Sequence, residues 1–325
     1  MVQPPLAHPF NAAWWCPGRH TQTIFARYFR PLPKLKINRI RLETPDNDFL
    51  DIDLLEGSFD APRVIILHGL EGSSKAPYVL SFAGEIQKKG WCAAAVNFRG
   101  CSGEANRLKQ TYHSGKTEDL DFLVHYFHKT EPHRRIYLAG FSLGGNVVLK
   151  WLGEQKESAR EKVHKAVAVS VPYDLVKAAR LMDQGFNRQV YTRKLLSTLK
   201  AKALHKEKRF PGILARNKVK RCKTFEVFDR EVTARVNGFK DEMDYWVNSS
   251  SLHKLADIRV ETLLIHAADD PFFPGEIFPH TEVQQNARYL HSVVTQGGGH
   301  LGFVGGSAPW KQDLWLEQTM IRFLI

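Results

Sequence analysis

The sequence has few cysteines and no long apolar run. Its four cysteines are scattered, with no CxxC pair and no Cys/His cluster at the spacing of zinc ligands. This scatter excludes a disulfide framework and favours a reducing, cytoplasmic compartment, so we interpret Cys16, Cys92, Cys101 and Cys222 as structural thiols. No apolar run approaches the roughly 20 residues needed to cross a bilayer. The segment 1–15 also lacks the basic start and apolar block of a secretory signal.

The remaining composition is that of a globular α/β protein. Of the 325 residues, 43% are hydrophobic and 25% are charged, which excludes a disordered chain and a collagen-like fibre. From about residue 36, short apolar runs alternate with helix-like stretches, and this alternation predicts a mostly parallel central sheet with helices on both faces. The predicted strands lie at 36–43, 48–55, 63–67, 92–97, 135–139, 165–171, 261–266 and 292–295. The first two are predicted to be antiparallel, and helices are predicted at 77–89, 116–129 and 143–155.

Two segments do not follow this alternation. Residues 174–251 are helix-like, rich in Lys and Arg, and lack a strand of the buried type. We predict that they form a helical cap inserted into a single domain that spans residues 1–325. Residues 1–35 hold several proline and aromatic residues with little periodicity, and are predicted to form an irregular N-terminal arm packed on that domain.

The sharpest local pattern is the pentapeptide Gly140-Phe141-Ser142-Leu143-Gly144, which directly follows an apolar strand and precedes a helix. This is the G-x-S-x-G pattern of a nucleophile elbow, where glycines avoid collisions with neighbouring backbone in a tight turn. The turn raises the serine above the sheet edge, at the N-terminus of a helix whose dipole favours negative charge. We therefore predict Ser142 as a nucleophile, the alternative being a structural glycine turn.

The loop His68 to Gly72 follows the strand 63–67, where the first backbone donor of an oxyanion hole belongs in this kind of fold. We predict the Leu70 N–H as that donor and the Leu143 N–H, directly after the serine, as the second. His68 is interpreted as a residue that holds the loop by hydrogen bonding, because the catalytic base of such a fold comes near the C-terminus.

Two later loops contain a candidate acid and a candidate base. Asp269 and Asp270 follow the strand 261–266, where a carboxylate can orient a histidine. Asp270 is preferred because it stands in a D-x-x-x-P arrangement, and Asp269 is the alternative, interpreted as a turn residue. Three glycines precede His300, and their flexibility lets the imidazole reach the serine and carry its proton.

The chain order of these features is oxyanion loop, serine, aspartate and histidine, which is the order of the α/β-hydrolases. Longer motifs add specificity, and the sequence resembles the YheT-like branch of that superfamily along almost its whole length. The matching stretches are Trp15 with His20-Thr21-Gln22-Thr23, His68-Gly69-Leu70-Glu71-Gly72, Asn97-Phe98-Arg99-Gly100-Cys101-Ser102-Gly103, Tyr112-His113-Ser114-Gly115, the elbow extended to Asn146, Asp269-Asp270-Pro271 and the run that ends at Phe303. The resemblance implies Ser142, Asp270 and His300 as a catalytic triad, and hydrolysis of carboxylic esters with short or medium acyl chains.

These features predict a serine esterase that cleaves a small-molecule or lipid-like ester through an acyl-enzyme. An acyltransferase or a thioesterase with the same triad is the alternative. A non-catalytic protein that binds anions or nucleic acid is suggested by the net charge alone, and no nucleic-acid motif accompanies that charge. No organic cofactor is predicted, and no metal, because metal ligands do not cluster. The sequence carries no signal for the oligomeric state.

The net charge of +12 originates in the predicted cap. Residues 175–240 contain 18 Lys and Arg against 5 Asp and Glu, whereas the rest of the chain contains 28 basic and 29 acidic residues. Two interpretations stay open. The cap presents a solvated helical face, or it attracts anionic substrates or contacts an anionic membrane surface.

Arg99 and the loop 100–103 follow the strand 92–97. This loop could frame an acyl pocket beside the elbow. The glycines already suit a strand-end turn, so we favour the interpretation in which Arg99 forms an internal ion pair.

Overall fold

An eight-stranded sheet lies at the centre of the computed structural model, which describes residues 8–325; residues 1–7 of the predicted arm lie outside the described residues. The strand order is β1-β2-β4-β3-β5-β6-β7-β8. The strands are β1 Asn38–Glu43, β2 Phe49–Leu55, β3 Arg63–Leu67, β4 Cys92–Asn97, β5 Ile136–Phe141, β6 Val163–Val169, β7 Glu261–Ala267 and β8 Leu290–Thr295. All eight predicted strands are present, with boundaries within two residues of the prediction.

The sheet is mostly parallel. β2 runs antiparallel to β1, as the alternating pattern of the first two strands predicted, and it also runs antiparallel to β4, which was not predicted. The other six strands run parallel to one another. The central strand β3 is buried along its whole length, with Ile65 in one hydrophobic cluster and Val64 and Ile66 in the other. A strand covered on both faces needs a continuous apolar run, which is the pattern that the sequence shows there.

Helices cover both faces of this sheet. The α-helices are α1 Arg19–Phe29, α2 Pro77–Lys88, α3 Glu118–Thr130, α4 Leu143–Gln155, α5 Glu157–Arg160, α6 Leu175–Met182, α7 Gly185–Asn187, α8 Arg193–Arg209, α9 Arg216–Arg221, α10 Phe225–Phe228, α11 Ala234–Asn237, α12 Glu242–Ser249, α13 His280–Gln285 and α14 Trp315–Leu324. Phe127 of α3 and Trp151 of α4 pack on one face, while Phe82 of α2 and Met320 of α14 pack on the other. Across residues 8–325, no helix has both the length and the apolar character that crossing a bilayer requires.

The segment between β6 and β7 contains only helical elements. It holds α6 to α12, the π-helical segments Arg188–Thr192 and Asp229–Thr233, and the 3-10 helix Leu252–Asp257. These elements have a hydrophobic cluster of their own, which includes Leu196, Phe228 and Trp246. Phe273, from the loop after β7, belongs to the same cluster. The segment predicted to be a helical cap is thus helical, and it packs on the loop that follows β7.

Several elements outside the cap were not predicted, among them α1, α5, α13 and a two-stranded hairpin. α1 lies within the segment expected to be irregular, and a two-stranded hairpin is formed by β9 Gly305–Ala308 and β10 Lys311–Asp313. Within α1 only Gln22 and Ala26 are buried. Because one of these two side chains is polar, α1 lacks the run of buried apolar positions that predicts a helix packed on the core.

Candidate active site

Ser142 lies at the junction of β5 and α4, in a left-handed backbone conformation with φ 52° and ψ −119°. The two glycines that flank it, Gly140 and Gly144, stand at positions with no space for a side chain. A Cβ at Gly140 would lie 2.4 Å from the carbonyl oxygen of Gly144, and a Cβ at Gly144 would lie 2.4 Å from the carbonyl oxygen of Leu67. Both glycines of the pentapeptide are therefore required by close approach of the backbone. The hydroxyl group is held at the carboxyl end of a central strand.

His300 connects Ser142 to Asp270. Its Nε2 lies 3.1 Å from Ser142 Oγ, and its Nδ1 lies 2.8 Å from Asp270 Oδ2. Asp270 is fully buried and Ser142 and His300 are each 8% exposed. Because an ionised carboxylate only accepts hydrogen bonds, Nδ1–H donates to Asp270 and Nε2 is free to accept from the serine hydroxyl. The structure thus brings together the three side chains that the sequence singled out from separate loops.

The backbone after β7 fixes the Asp270 carboxylate. Its second oxygen, Oδ1, accepts hydrogen bonds from the N–H groups of Phe272 at 2.8 Å and Phe273 at 3.2 Å. Asp269 points elsewhere, and its Oδ1 accepts the Gly299 N–H at 2.8 Å. Burial raises the pKa of Asp269 above its ordinary value. Asp270 is therefore the aspartate that contacts the imidazole, whereas Asp269 ties the histidine loop to the loop after β7.

The loop before His300 needs its glycines for conformation and for space. Gly298 and Gly299 have φ values of 145° and 58°. A Cβ on Gly299 would lie 2.4 Å from the carbonyl oxygen of Arg19. This close contact means that α1 packs directly on the histidine loop.

α1 holds the histidine loop through Gln22 and Thr23. The Gln22 Nε2 group donates to the carbonyl oxygens of Cys16 at 2.9 Å and Val304 at 3.0 Å, and its Oε1 accepts the Val304 N–H at 2.7 Å. Thr23 Oγ1 accepts the N–H of His300 at 2.9 Å. Neither residue was assigned a role in the sequence analysis. Their place in the His20-Thr21-Gln22-Thr23 stretch was the only signal for them.

The two predicted oxyanion donors lie beside the serine. Leu143 follows Ser142 at the first position of α4, and a Cβ on Gly69, next to Leu70, would lie 3.2 Å from Ser142 Cβ. Among the described residues, neither the Leu70 N–H nor the Leu143 N–H donates to another protein atom. Both groups therefore have no acceptor among the described residues, as the role predicted for them requires.

His68 holds the loop that carries Leu70. Its Nε2 accepts the Phe98 N–H at 3.2 Å, so Nδ1 carries the proton and donates to the Gly69 carbonyl oxygen at 2.7 Å. Burial lowers the pKa of His68 to about 4, which keeps the ring neutral at physiological pH. His68 does not contact the serine, and its contacts agree with the structural interpretation made from the sequence.

Aromatic rings surround His300, and sequence analysis had given none of them a role. The Phe272 ring stacks on the imidazole with centroids 4.1 Å apart, and Tyr191 of the cap packs on Phe272 at 4.6 Å. The Tyr191 hydroxyl group lies 3.0 Å from His20 Nδ1 on α1. The cap and α1 thus meet beside His300.

Arg99 lies outside this constellation and forms buried ion pairs. Its guanidinium group contacts Asp46 at 2.7 Å, Asp48 at 3.2 Å and Asp119 at 2.6 Å. These contacts confirm the internal ion pair favoured from the sequence.

Within residues 8–325, no group of three or more His, Cys, Asp or Glu residues is arranged to hold a metal ion.

A mostly parallel sheet with a serine at a strand–helix elbow, and a histidine and an aspartate in loops at the strand ends, is the architecture of α/β-hydrolases. Comparison with known proteins gives the same class. The model of the alpha/beta hydrolase fold family matches residues 62–306. YheT of Escherichia coli (strain K12), which is named as an esterase, is 39% identical over 94% of this chain and 89% of its own length.

Two further proteins illustrate the range of the similarity. The phospholipase ABHD3 of Mus musculus is 25% identical over 99% of this chain and 79% of its own length. The esterase Pf2001 of Pyrococcus furiosus shares the fold with a TM-score of 0.55 and 19% identity, over 82% of this chain and 84% of that structure. The chain belongs to the α/β-hydrolase fold family, in the branch of ester hydrolases that includes the Escherichia coli protein.

Proposed function

We propose that the protein hydrolyses carboxylic esters through an acyl-enzyme on Ser142. The observation that carries this proposal is the continuous hydrogen-bonded series from Ser142 Oγ through His300 to Asp270, at 3.1 and 2.8 Å. A serine beside a histidine that is oriented by a buried carboxylate is the arrangement that activates a hydroxyl group for attack.

The reaction proceeds in two halves. Ser142 Oγ attacks the ester carbonyl carbon while its proton passes to His300 Nε2, and the Leu70 and Leu143 N–H groups donate to the oxyanion. The intermediate collapses, the bond to the leaving alcohol breaks, and the imidazolium returns the proton to that oxygen. Water then attacks the acyl-enzyme, gives its proton to Nε2, and releases the carboxylic acid as Ser142 regains its proton. Asp270 stabilises the imidazolium in both halves.

The substrate in this proposal is a small or lipid-like ester with a short or medium acyl chain. Support comes from the relatives, which include proteins named as an esterase and as a phospholipase. A cytoplasmic location is part of the proposal and is supported by the four cysteines, which are all free and buried.

The basic cap is proposed to bring the enzyme to an anionic lipid surface. An open pocket of about 750 Å³ on the cap is lined by Arg188, Arg193, Lys200 and Lys223, and no carboxylate of residues 8–325 lines it. Basic clusters of this kind attract acidic lipids within a Debye length of the surface. Flotation with phosphatidylglycerol vesicles should be lost in an Arg188→Gln/Arg193→Gln variant and retained in a Lys34→Gln/Lys36→Gln variant, which loses the same charge outside the cap. Equal flotation of both variants, or none by the wild type, would contradict lipid contact through the cap.

Labelling and turnover test the proposed activity together. A fluorophosphonate probe should label the wild type but not Ser142→Ala, and hydrolysis of p-nitrophenyl esters should fall by several orders of magnitude in that variant. Ser81→Ala is the matched control, because among the described residues Ser81 Oγ is buried with no hydrogen-bond partner. A folded wild type that is neither labelled nor active on any acyl length would refute the proposal.

The same assay separates the alternatives. Added alcohols should leave the release of carboxylic acid unchanged if water is the natural acceptor. If alcohols divert the acyl group into new esters, the protein is an acyltransferase, and a strong preference for thioesters over oxygen esters of equal length identifies a thioesterase.

A further inference from the structure

A lysine of the cap reaches the loop that carries the proposed oxyanion donor. Lys202 Nζ, on α8, lies 2.8 Å from Glu71 Oε1. Glu71 directly follows Leu70, and its side chain is only 6% exposed, whereas that of Lys202 is 41% exposed. The two residues are 131 positions apart in the sequence. This ion pair is therefore a direct link between the cap and the oxyanion loop.

The Glu71 side chain folds back on its own backbone. The Tyr112 hydroxyl group accepts the Glu71 N–H at 2.9 Å and donates to Glu71 Oε1 at 2.8 Å. The same carboxylate oxygen is the one that contacts Lys202. Glu71 also has a positive φ of 54°, a conformation that costs free energy in a residue other than glycine. The contacts of the side chain hold this turn, and with it the direction of the preceding peptide.

Besides holding the Glu71 side chain in place, Lys202 affects the site through its positive charge. A carboxylate one residue away from an oxyanion donor repels the negative charge that develops there, and the repulsion is strong because burial reduces solvent screening. The Lys202 ammonium group cancels this charge. Burial lowers the pKa of Lys202, but Cys101 and Glu71, both in contact with its ammonium group, raise it by more, so the pKa lies above its ordinary value. Burial raises the pKa of the Cys101 thiol to about 11, and its Sγ atom lies 3.3 Å from Lys202 Nζ.

We propose that Lys202 is a positioning residue for the oxyanion hole, which fixes Glu71 and neutralises its carboxylate so that the Leu70 N–H can stabilise the tetrahedral intermediate. This inference rests on the proposed function and adds to it a contribution of the cap to the rate of the chemical step.

The test is the kinetics of Lys202→Met on a p-nitrophenyl ester. We expect kcat to fall about 10- to 100-fold with KM nearly unchanged, because the loss is confined to the transition state. A trifluoromethyl ketone, whose adduct with serine places an oxyanion in the same position, should bind more weakly by a similar factor. Lys202→Arg should restore most of the activity. Lys208→Met, an exposed lysine on the same helix, should match the wild type.

A double-mutant cycle keeps the inference falsifiable if Lys202→Met is poorly folded. Glu71→Gln should also lower kcat, and the Glu71→Gln/Lys202→Met variant should be no slower than the worse single variant, since both remove one interaction. Additive losses, or a kcat of folded Lys202→Met equal to that of the wild type, would overturn the role of Lys202 while leaving the esterase proposal intact. A wild type without ester hydrolysis would defeat both.

Discussion

Backbone strain at the site is concentrated in single residues with a positive φ. Ser142 and Glu71 have φ values of 52° and 54°, and they lie on the two loops that face the proposed oxyanion position. Such conformations persist only where the surroundings enforce them. Around Ser142 the enforcement comes from the close contact of β5, α4 and the end of β3.

Gly144→Ala is expected to abolish stable folding or lower the melting temperature by more than 10 °C. Its Cβ would lie 2.4 Å from the carbonyl oxygen of Leu67 and 2.6 Å from that of His68, and backbone atoms of a central strand cannot move away. Gly297→Ala, in the histidine loop, should change the melting temperature by little, because its Cβ would meet only Asp269 Oδ2, at 3.6 Å. Thermal unfolding followed by circular dichroism measures both. Equal stability of the two variants would contradict the packing described for the elbow.

At the level of single residues, the sequence predicted the site residues that stand in short motifs and missed those that act through long-range contacts. Ser142, Asp270 and His300 each stand in a short motif at a strand end, so local pattern was sufficient to single them out. Gln22 and Thr23 act on the histidine through contacts across 282 and 277 residues, and no local pattern predicts contacts of that kind.

At the level of elements, α1 acts as a support for the histidine loop. Thr23→Val preserves the size of the side chain but removes the oxygen that accepts the His300 N–H. We expect kcat to fall about 10-fold with little change in KM, because a small displacement of the base weakens proton transfer. Thr21→Val is the control, since Thr21 is exposed on the same helix. Steady-state kinetics on one p-nitrophenyl ester tests this, and a variant as active as the wild type would show that the loop needs no support from α1.

Arg99 joins three elements, because its partners lie in the β1–β2 turn, at the start of β2 and in α3. Arg99→Met should destabilise the protein by about 3–5 kcal/mol, since Asp48 and Asp119 would remain buried without a counterion. Arg107→Met removes an exposed pair with Glu43 and should change the stability little, because solvent screens an exposed ion pair. Denaturant unfolding gives both values. A loss below 1 kcal/mol for Arg99→Met would mean that the three carboxylates have other partners.

The predictable and unpredictable elements differ in what they bury. The central strands bury continuous apolar runs, so their positions could be predicted within two residues. α1 buries one glutamine and one alanine along its own length, and the β9–β10 hairpin is short and rich in glycine. Neither α1 nor the hairpin buries a regularly spaced set of apolar side chains that would distinguish it from a loop.

Across the whole molecule, charge is divided between two regions. The positive excess lies in the cap, while the rest of the chain is close to neutral. The cap also contains a buried acid, Asp229, which accepts hydrogen bonds from Thr233 Oγ1 at 2.6 Å and Trp246 Nε1 at 2.8 Å. Burial raises the pKa of Asp229 to about 7.

The stability of the molecule should therefore depend on pH through Asp229. Its pKa is higher in the folded state, so the folded state keeps this proton while the unfolded state loses it. The stabilisation is complete below about pH 4 and is lost as pH rises towards 7. Between about pH 4 and pH 7, the free energy of unfolding of Asp229→Asn should rise by about 2–4 kcal/mol relative to that of the wild type. The reason is that a pKa difference of one unit corresponds to about 1.4 kcal/mol.

Melting temperatures from pH 4 to pH 8 measure this difference. Asp60→Asn, at an exposed loop position, serves as the control and should follow the wild type at every pH. Parallel curves for Asp229→Asn and the wild type would show that Asp229 titrates normally.

The contact between Thr23 and His300 also bears on the order of folding. It closes a loop of 277 residues, and bringing such distant segments together has an entropic cost that only a formed sheet can offset. The nucleophile elbow is held by neighbouring strands, whereas the base is held by a helix from the opposite end of the chain. Placement of the base therefore depends on a contact between segments 277 residues apart, whereas the elbow needs only its neighbouring strands.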